Sequence, residues 1–283
     1  MKLAMYRLGG ETGIAALSDS GFRGISRETS GYPGDLDSLV ATGVDLVETG
    51  KLLLTAPRLD TAGLDFLPPL SRPSKILCVG LNYRDHSVET GMKLPDYPTI
   101  FARFPSCLVG HGQPILKPRV SEQLDYEGEL AAVIGTRAFA VPEDRALEHV
   151  AAYSLFNDAS VRDYQMRTTQ WTLGKNFDGT GAFGPVLVTP DELPPGAIGL
   201  RIVTRLNGSV VQDASTADMV FGVASLISIL SQVMTLEPGD VLVTGTPSGV
   251  GMARKPPLYM KSGDVCEVEI EGVGVLRNSV AEA

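Results

Sequence analysis

From Ser74 to the C-terminus the chain is a succession of short apolar runs, each closed by a tight turn, and this texture restricts the fold more than any other feature. Residues 75–80, 129–134, 186–188, 241–244 and 265–270 are apolar stretches too short for buried helices and are read as strands. Residues 200–213 form a hairpin whose turn is Asn207-Gly208, because two residues that tolerate positive φ match the twist of the flanking strands. Glu237-Pro-Gly-Asp240 and Lys261-Ser-Gly-Asp264 are matching turns ahead of two of the strands. Residues 82–89 are polar and turn into a short helix, and residues 219–234 carry helical spacing over a helical length. Regular strand–helix alternation is absent, which excludes a parallel α/β sheet and leaves an α+β fold that is mostly β.

The first seventy residues have a different texture. Gly9-Gly10, Gly21, Gly31 and Pro33-Gly34 punctuate short apolar runs, residues 36–49 have the spacing of one modest helix, and Pro68-Pro69 with Pro73 reads as a linker. A small N-terminal domain over residues 1–70 and a catalytic domain over residues 71–283 follow.

A net charge of −9 without Lys/Arg clusters argues against nucleic acid and anionic membranes as partners. Cys78, Cys107 and Cys266 are odd in number and widely spaced, so neither a disulfide framework nor a zinc site is expected, and a reducing cytoplasm is. No segment is long and apolar enough to span a bilayer. Gly179-Thr-Gly-Ala-Phe-Gly184 spells a dinucleotide fingerprint but runs into Pro185 and a strand, where the pyrophosphate would need a helix N-terminus. The Gly-rich stretch 244–251 has no P-loop lysine.

The informative chemistry lies in acids. In Asp125-Tyr126-Glu127-Gly128-Glu129-Leu130, residues 127 and 129 are two apart at the mouth of a strand, so both side chains point to one face. An isolated Glu-x-Glu is ordinarily a solvated strand face. Here Glu129 leads straight into an apolar run, where two converging carboxylates repel unless a cation lies between them. Tyr153-Ser-Leu-Phe-Asn-Asp158 is an apolar strand ending in a third acid. Three carboxylates make a hard oxygen site suited to Mg²⁺ or Mn²⁺.

Six motifs in order resemble the fumarylacetoacetate hydrolase family: Val79-Gly-Leu-Asn-Tyr-Arg-Asp-His86, Asp125-Tyr-Glu-Gly-Glu129, Asn157-Asp158, Gly174-Lys175-Asn-Phe-Asp178, Gly184-Pro185 and Thr244-Gly-Thr-Pro-Ser-Gly-Val-Gly251. The resemblance implies a mixed β-sandwich roll, a homodimer, and a small anionic keto-acid substrate. It implies Glu127, Glu129 and Asp158 as metal ligands, Gln165, Thr246 and Arg84 as substrate contacts, and Lys175 as a catalytic cation. It also implies His86 and Glu89 as a water-activating pair, which fits their i,i+3 spacing on a helix. The polar run 82–85 beside the pair reads as a lid segment. Asn176 and Arg103 stand where many relatives have Ser and Lys, and neither departure is expected to touch the metal.

On these grounds the leading expectation is hydrolysis of a carbon–carbon bond in an acylpyruvate of the fumarylpyruvate or maleylpyruvate type, releasing pyruvate in aromatic catabolism. Metal and Lys175 would stabilise the enolate leaving group, and His86 with Glu89 would activate water. The rivals are a decarboxylase of oxaloacetate or a related keto diacid, which needs the same enolate but no water, a diketo sugar-acid hydrolase, and a non-catalytic metal or metabolite binder.

Overall fold

The computed structural model describes residues 1–61, 63–89 and 96–283, residues 86–88 by their backbone alone. Two packed sheets dominate. The larger runs Gly21–Ser26, Glu11–Ser18, Lys2–Leu8, Gly181–Val188, Val150–Asp158, Gly128–Ile134, Val241–Val243, Ile76–Gly80, Thr99–Arg103 from edge to edge. The smaller runs Ser209–Ser215, Arg201–Leu206, Val265–Ile270, Gly274–Glu282, Ile115–Lys117. Both are mixed: Val241–Val243 lies parallel to Ile76–Gly80, and Gly274–Glu282 parallel to Ile115–Lys117, while most other neighbours are antiparallel. This is the mostly β, mixed sandwich-roll architecture expected from the sequence.

The central strand Gly128–Ile134 is buried along its whole length because it is covered on both faces. Leu130, Ala132 and Ile134 pack with Ile202, Val268 and Leu276 of the smaller sheet. Ala131 and Val133 point the other way, to a core shared with Leu3, Ile14, Leu39 and Leu53. The N-terminal segment therefore joins the same layers: Lys2–Leu8 pairs with Gly181–Val188, and its helices cover the outer face. Gly128 stands where the sheets come closest. A Cβ there would lie 2.2 Å from Thr204 Oγ1 and 3.1 Å from a Val268 methyl, so the face opposite the two glutamates is filled by a neighbour.

The hairpin Arg201–Leu206/Ser209–Ser215 turns at Asn207 and Gly208, with φ of 52° and 79°. The two Gly-Asp turns match in detail: Asp240 accepts from the Glu237 amide at 2.7 Å, and Asp264 from the Lys261 amide at 2.7 Å. The stretch read as one helix over residues 36–49 is two, Leu36–Ala41 and Leu46–Leu53. Gly43 at φ 70° ends the first, and Asp45 caps the second by accepting from the Val47 and Glu48 amides.

Asp240 also ties the sheet to the chain entering it. Fully buried, it accepts from Ser74 Oγ at 2.6 Å and the Lys75 amide at 3.0 Å, and pairs with Lys75 Nζ at 2.7 Å. Asp240→Ala leaves two half-buried amides without their acceptor and is expected to cost about 1–2 kcal/mol in urea unfolding. An unchanged midpoint would show that water replaces the carboxylate at no cost.

Candidate metal centre

Sheet register builds the centre. Gly128 lies opposite Asn157 and Glu129 opposite Phe156, which sets Glu127 against Asp158; the Asp158 amide donates to the Glu127 carbonyl at 2.9 Å. A directly opposed pair plus the next residue on the same face gives three carboxylates in one patch. Glu127, Glu129 and Asp158 are all buried, and each offers an oxygen within 4.8 Å of the others.

Three cations surround them. Lys175, at the end of the short helix Thr172–Lys175, is buried with Nζ 2.5 Å from both Glu127 Oε2 and Asp158 Oδ2. Arg162 donates to Asp125 Oδ2 and Gln165 Oε1, each at 2.8 Å. Its remaining nitrogen forms an ion pair with Glu127 Oε1 at 2.6 Å. Arg103 is buried and donates to Asp158, to Thr180 Oγ1 at 2.7 Å and to Cys107 Sγ at 3.2 Å. Arg103, which stands where many relatives have Lys, thus holds one of the acids directly.

Four buried carboxylates, Asp125 included, thus face three buried cations. The deficit falls on Glu129. Among the described residues no lysine or arginine is within ion-pair distance of it, and it accepts from the Gly245 amide at 2.5 Å. Burial, then the charges of Asp158 and Glu127, push its carboxyl well above the usual range. Burial also raises Asp158, against the opposing pull of Lys175 and Arg103. Burial works to lower the Lys175 ammonium, but Asp158 and Glu127 outweigh it and hold the group above the ordinary lysine value. Three hard oxygen donors and one uncompensated negative charge fit a divalent cation.

A cavity of about 270 Å³ opens onto the triad and is also bordered by Glu89, Gln165 and Thr246. Thr246 donates to the Gly128 carbonyl at 3.0 Å and accepts from Gln212 at 2.8 Å. Glu89 accepts from the Gly249 amide at 2.9 Å. The Gly-rich stretch 244–251 is thus a clamp folded over the triad. At Gly245, φ is 99° and a Cβ would lie 2.9 Å from the Val79 carbonyl, so no other residue fits there without strain.

Arg84 is exposed and is not among the residues that border the cavity. The His86 side chain lies outside the described residues. Asn82, read as lid, is buried: it donates to the Phe221 and Thr244 carbonyls at 2.9 and 2.7 Å and anchors the Gly-rich clamp. Two residues given no role in the sequence reading, Arg103 and Arg162, are central here. A local signal existed for Arg162, which is one helical turn from Gln165.

The sequence matches the family model for the fumarylacetoacetate hydrolase C-terminal domain over residues 75–281. It is 41% identical over 253 residues to a mitochondrial oxaloacetate tautomerase of Xenopus laevis, covering 88% of this chain and 79% of that one. It is 38% identical over 288 residues to a human mitochondrial oxaloacetate tautomerase, covering 99% and 91%. Among solved structures, a fumarylacetoacetate hydrolase from Exiguobacterium antarcticum superposes with a TM-score of 0.87 at 36% identity, both chains fully covered. A 5-carboxymethyl-2-hydroxymuconate delta-isomerase from Mycobacterium smegmatis gives 0.78 at 31% identity, covering 100% and 99%. These relatives overturn the expected acylpyruvate hydrolysis. The sequence relatives are named for tautomerisation and the Mycobacterium smegmatis structure for isomerisation, reactions that move a proton and use no attacking water, and the enolate-based alternative on oxaloacetate stands closer to them.

Proposed function

The chain belongs to the fumarylacetoacetate hydrolase family, a family of enzymes, and from that premise we propose that it interconverts the keto and enol forms of oxaloacetate or a related 2-oxo acid, using Mg²⁺ or Mn²⁺. The observation that carries this reading is the buried triad of Glu127, Glu129 and Asp158 with the Lys175 ammonium against two of its members.

A divalent cation held by the triad supplies a Lewis acid for the oxygens of a 2-oxo acid. The chain's own groups do the rest. Enolisation takes a proton from C3, turns that bond's electron pair into a C2–C3 double bond and leaves negative charge on the C2 oxygen. Lys175, kept as an ammonium by its two carboxylates, places a fixed positive charge beside that oxygen. Thr246 and Gln165, both buried and bordering the cavity, orient the substrate carboxylate. Glu89 is the bordering carboxylate outside the triad among the described residues, and we assign it the proton at C3.

The test follows freshly dissolved enol oxaloacetate with Mg²⁺-loaded protein, recording enol absorbance and pyruvate in parallel. Accelerated enol loss without pyruvate is the expected result. Pyruvate release at the same rate transfers the reading to decarboxylation, and no effect on either signal rejects both.

Homodimer formation and a cytoplasmic location belong to the same proposal, although the names of the relatives say mitochondrial. Among the described residues no helix is long and apolar enough to cross a membrane. A division near residue 70 is also part of it. Light scattering tests the dimer, and limited proteolysis tests the boundary.

A further inference from the structure

The cavity has a second end that enolisation does not use. Phe101, on the edge strand Thr99–Arg103, turns its ring to Lys175, with Nζ 4.8 Å from the centroid. Trp171 meets Phe101 edge-on, with centroids 5.5 Å apart and planes at 64°. The indole rests on Gly80: a Cβ there would come 2.2 Å from Trp171 Cζ3, so the missing side chain is what seats the ring. Val79, Met166 and Met252 continue this apolar wall. Both rings are only half-buried, so aromatic surface faces a cavity whose opposite end is ionic.

We propose that Trp171 and Phe101 form a subsite for an apolar, and above all an aromatic, substituent on a 2-oxo acid whose keto-acid head lies at the triad. This rests on the 2-oxo acid reading above. The contacts run without a break from triad to Lys175 to Phe101 to Trp171, so a group a few bonds beyond the keto carbon comes against the rings. A second carboxylate at that place meets aromatic carbon. The bordering cations Arg162 and Lys175 are already paired with Glu127. A phenyl group there instead covers the exposed ring faces. Met166, 52% exposed, and Met252 are flexible apolar side chains that can adapt to tails of different shape. The site therefore takes substrates larger than a four-carbon diacid.

Calorimetry on the Mg²⁺-loaded full chain with 2-oxobutanoate and 2-oxo-4-phenylbutanoate tests this, since the two ligands share a head and differ by the phenyl. The phenyl ligand is expected to bind about tenfold more tightly. Trp171→Ala should remove that advantage while leaving 2-oxobutanoate within about twofold, and Trp171→Phe should keep most of it. Trp171 is the sole tryptophan, so its emission should shift with the phenyl ligand and stay unchanged with 2-oxobutanoate. Equal affinities for the two ligands, or equal loss of both in Trp171→Ala, overturn the subsite and leave the 2-oxo acid reading standing. Binding of neither ligand rejects that reading and the subsite with it.

Discussion

Lys175→Met is expected to lower kcat for enolisation by about 10²–10³-fold while raising affinity for Mg²⁺ or Mn²⁺. The two effects have one cause. The ammonium sits 2.5 Å from two of the three acids, so it stabilises charge on the substrate oxygen and also competes with a cation for Glu127 and Asp158. Methionine is unbranched, one heavy atom shorter and uncharged, so the cation–π contact with Phe101 is lost together with the ion pairs. Without metal, the variant holds four buried carboxylates against two guanidinium groups, and a lower melting temperature is expected; added metal should recover most of it. Calorimetric metal titration, thermal melts with and without metal, and the enol assay together check this. Weaker metal binding in the variant would mean that Lys175 organises the triad instead of competing for it.

The share of this site legible from sequence follows from the range of the interactions involved. The glutamate pair was readable because strand parity is local: residues 127 and 129 face one way whatever their strand pairs with. That Asp158 opposes Glu127 depends on the register between Gly128–Ile134 and Val150–Asp158, which no local pattern states. The hairpin at Asn207-Gly208 and the two Gly-Asp turns were legible for the same local reason. The helix over residues 36–49 was read through Gly43, although a glycine followed by Asp45 is itself a stop and a restart. Arg103 was missed because a single arginine at the end of an apolar strand reads as exposed. Only the fold shows that Asp158, Thr180 and Cys107 close around it.

Function was legible to the level of the enolate and not beyond it. Three acids and a lysine specify where negative charge can be stabilised. The His86 and Glu89 spacing shows that two groups share a helical face, but not which substrate atom they serve. Hydrolysis and tautomerisation both need the enolate and differ only in what happens at the neighbouring carbon. The relatives decided against water attack at a point where the residue chemistry, through His86 and Glu89, had favoured it.

Glu129→Gln separates the cost of the site from its use. Glutamine is nearly isosteric, and its side-chain oxygen can still accept from the Gly245 amide. The substitution removes the one buried carboxylate that has no ion-pair partner among the described residues, so three acids then face three cations. Because burial penalises the charged form of Glu129, the metal-free variant is expected to melt at a higher temperature than the parent. The same change takes a hard anionic donor from the triad, and Mg²⁺ or Mn²⁺ affinity should fall by about 10²-fold or more, with enolisation lost in parallel. Metal should then raise the parent's melting temperature and leave the variant's almost unmoved. A variant that binds metal like the parent would remove Glu129 from the ligand set. A variant that melts lower without metal would show that the carboxylate holds the Gly-rich clamp more strongly than its burial opposes it.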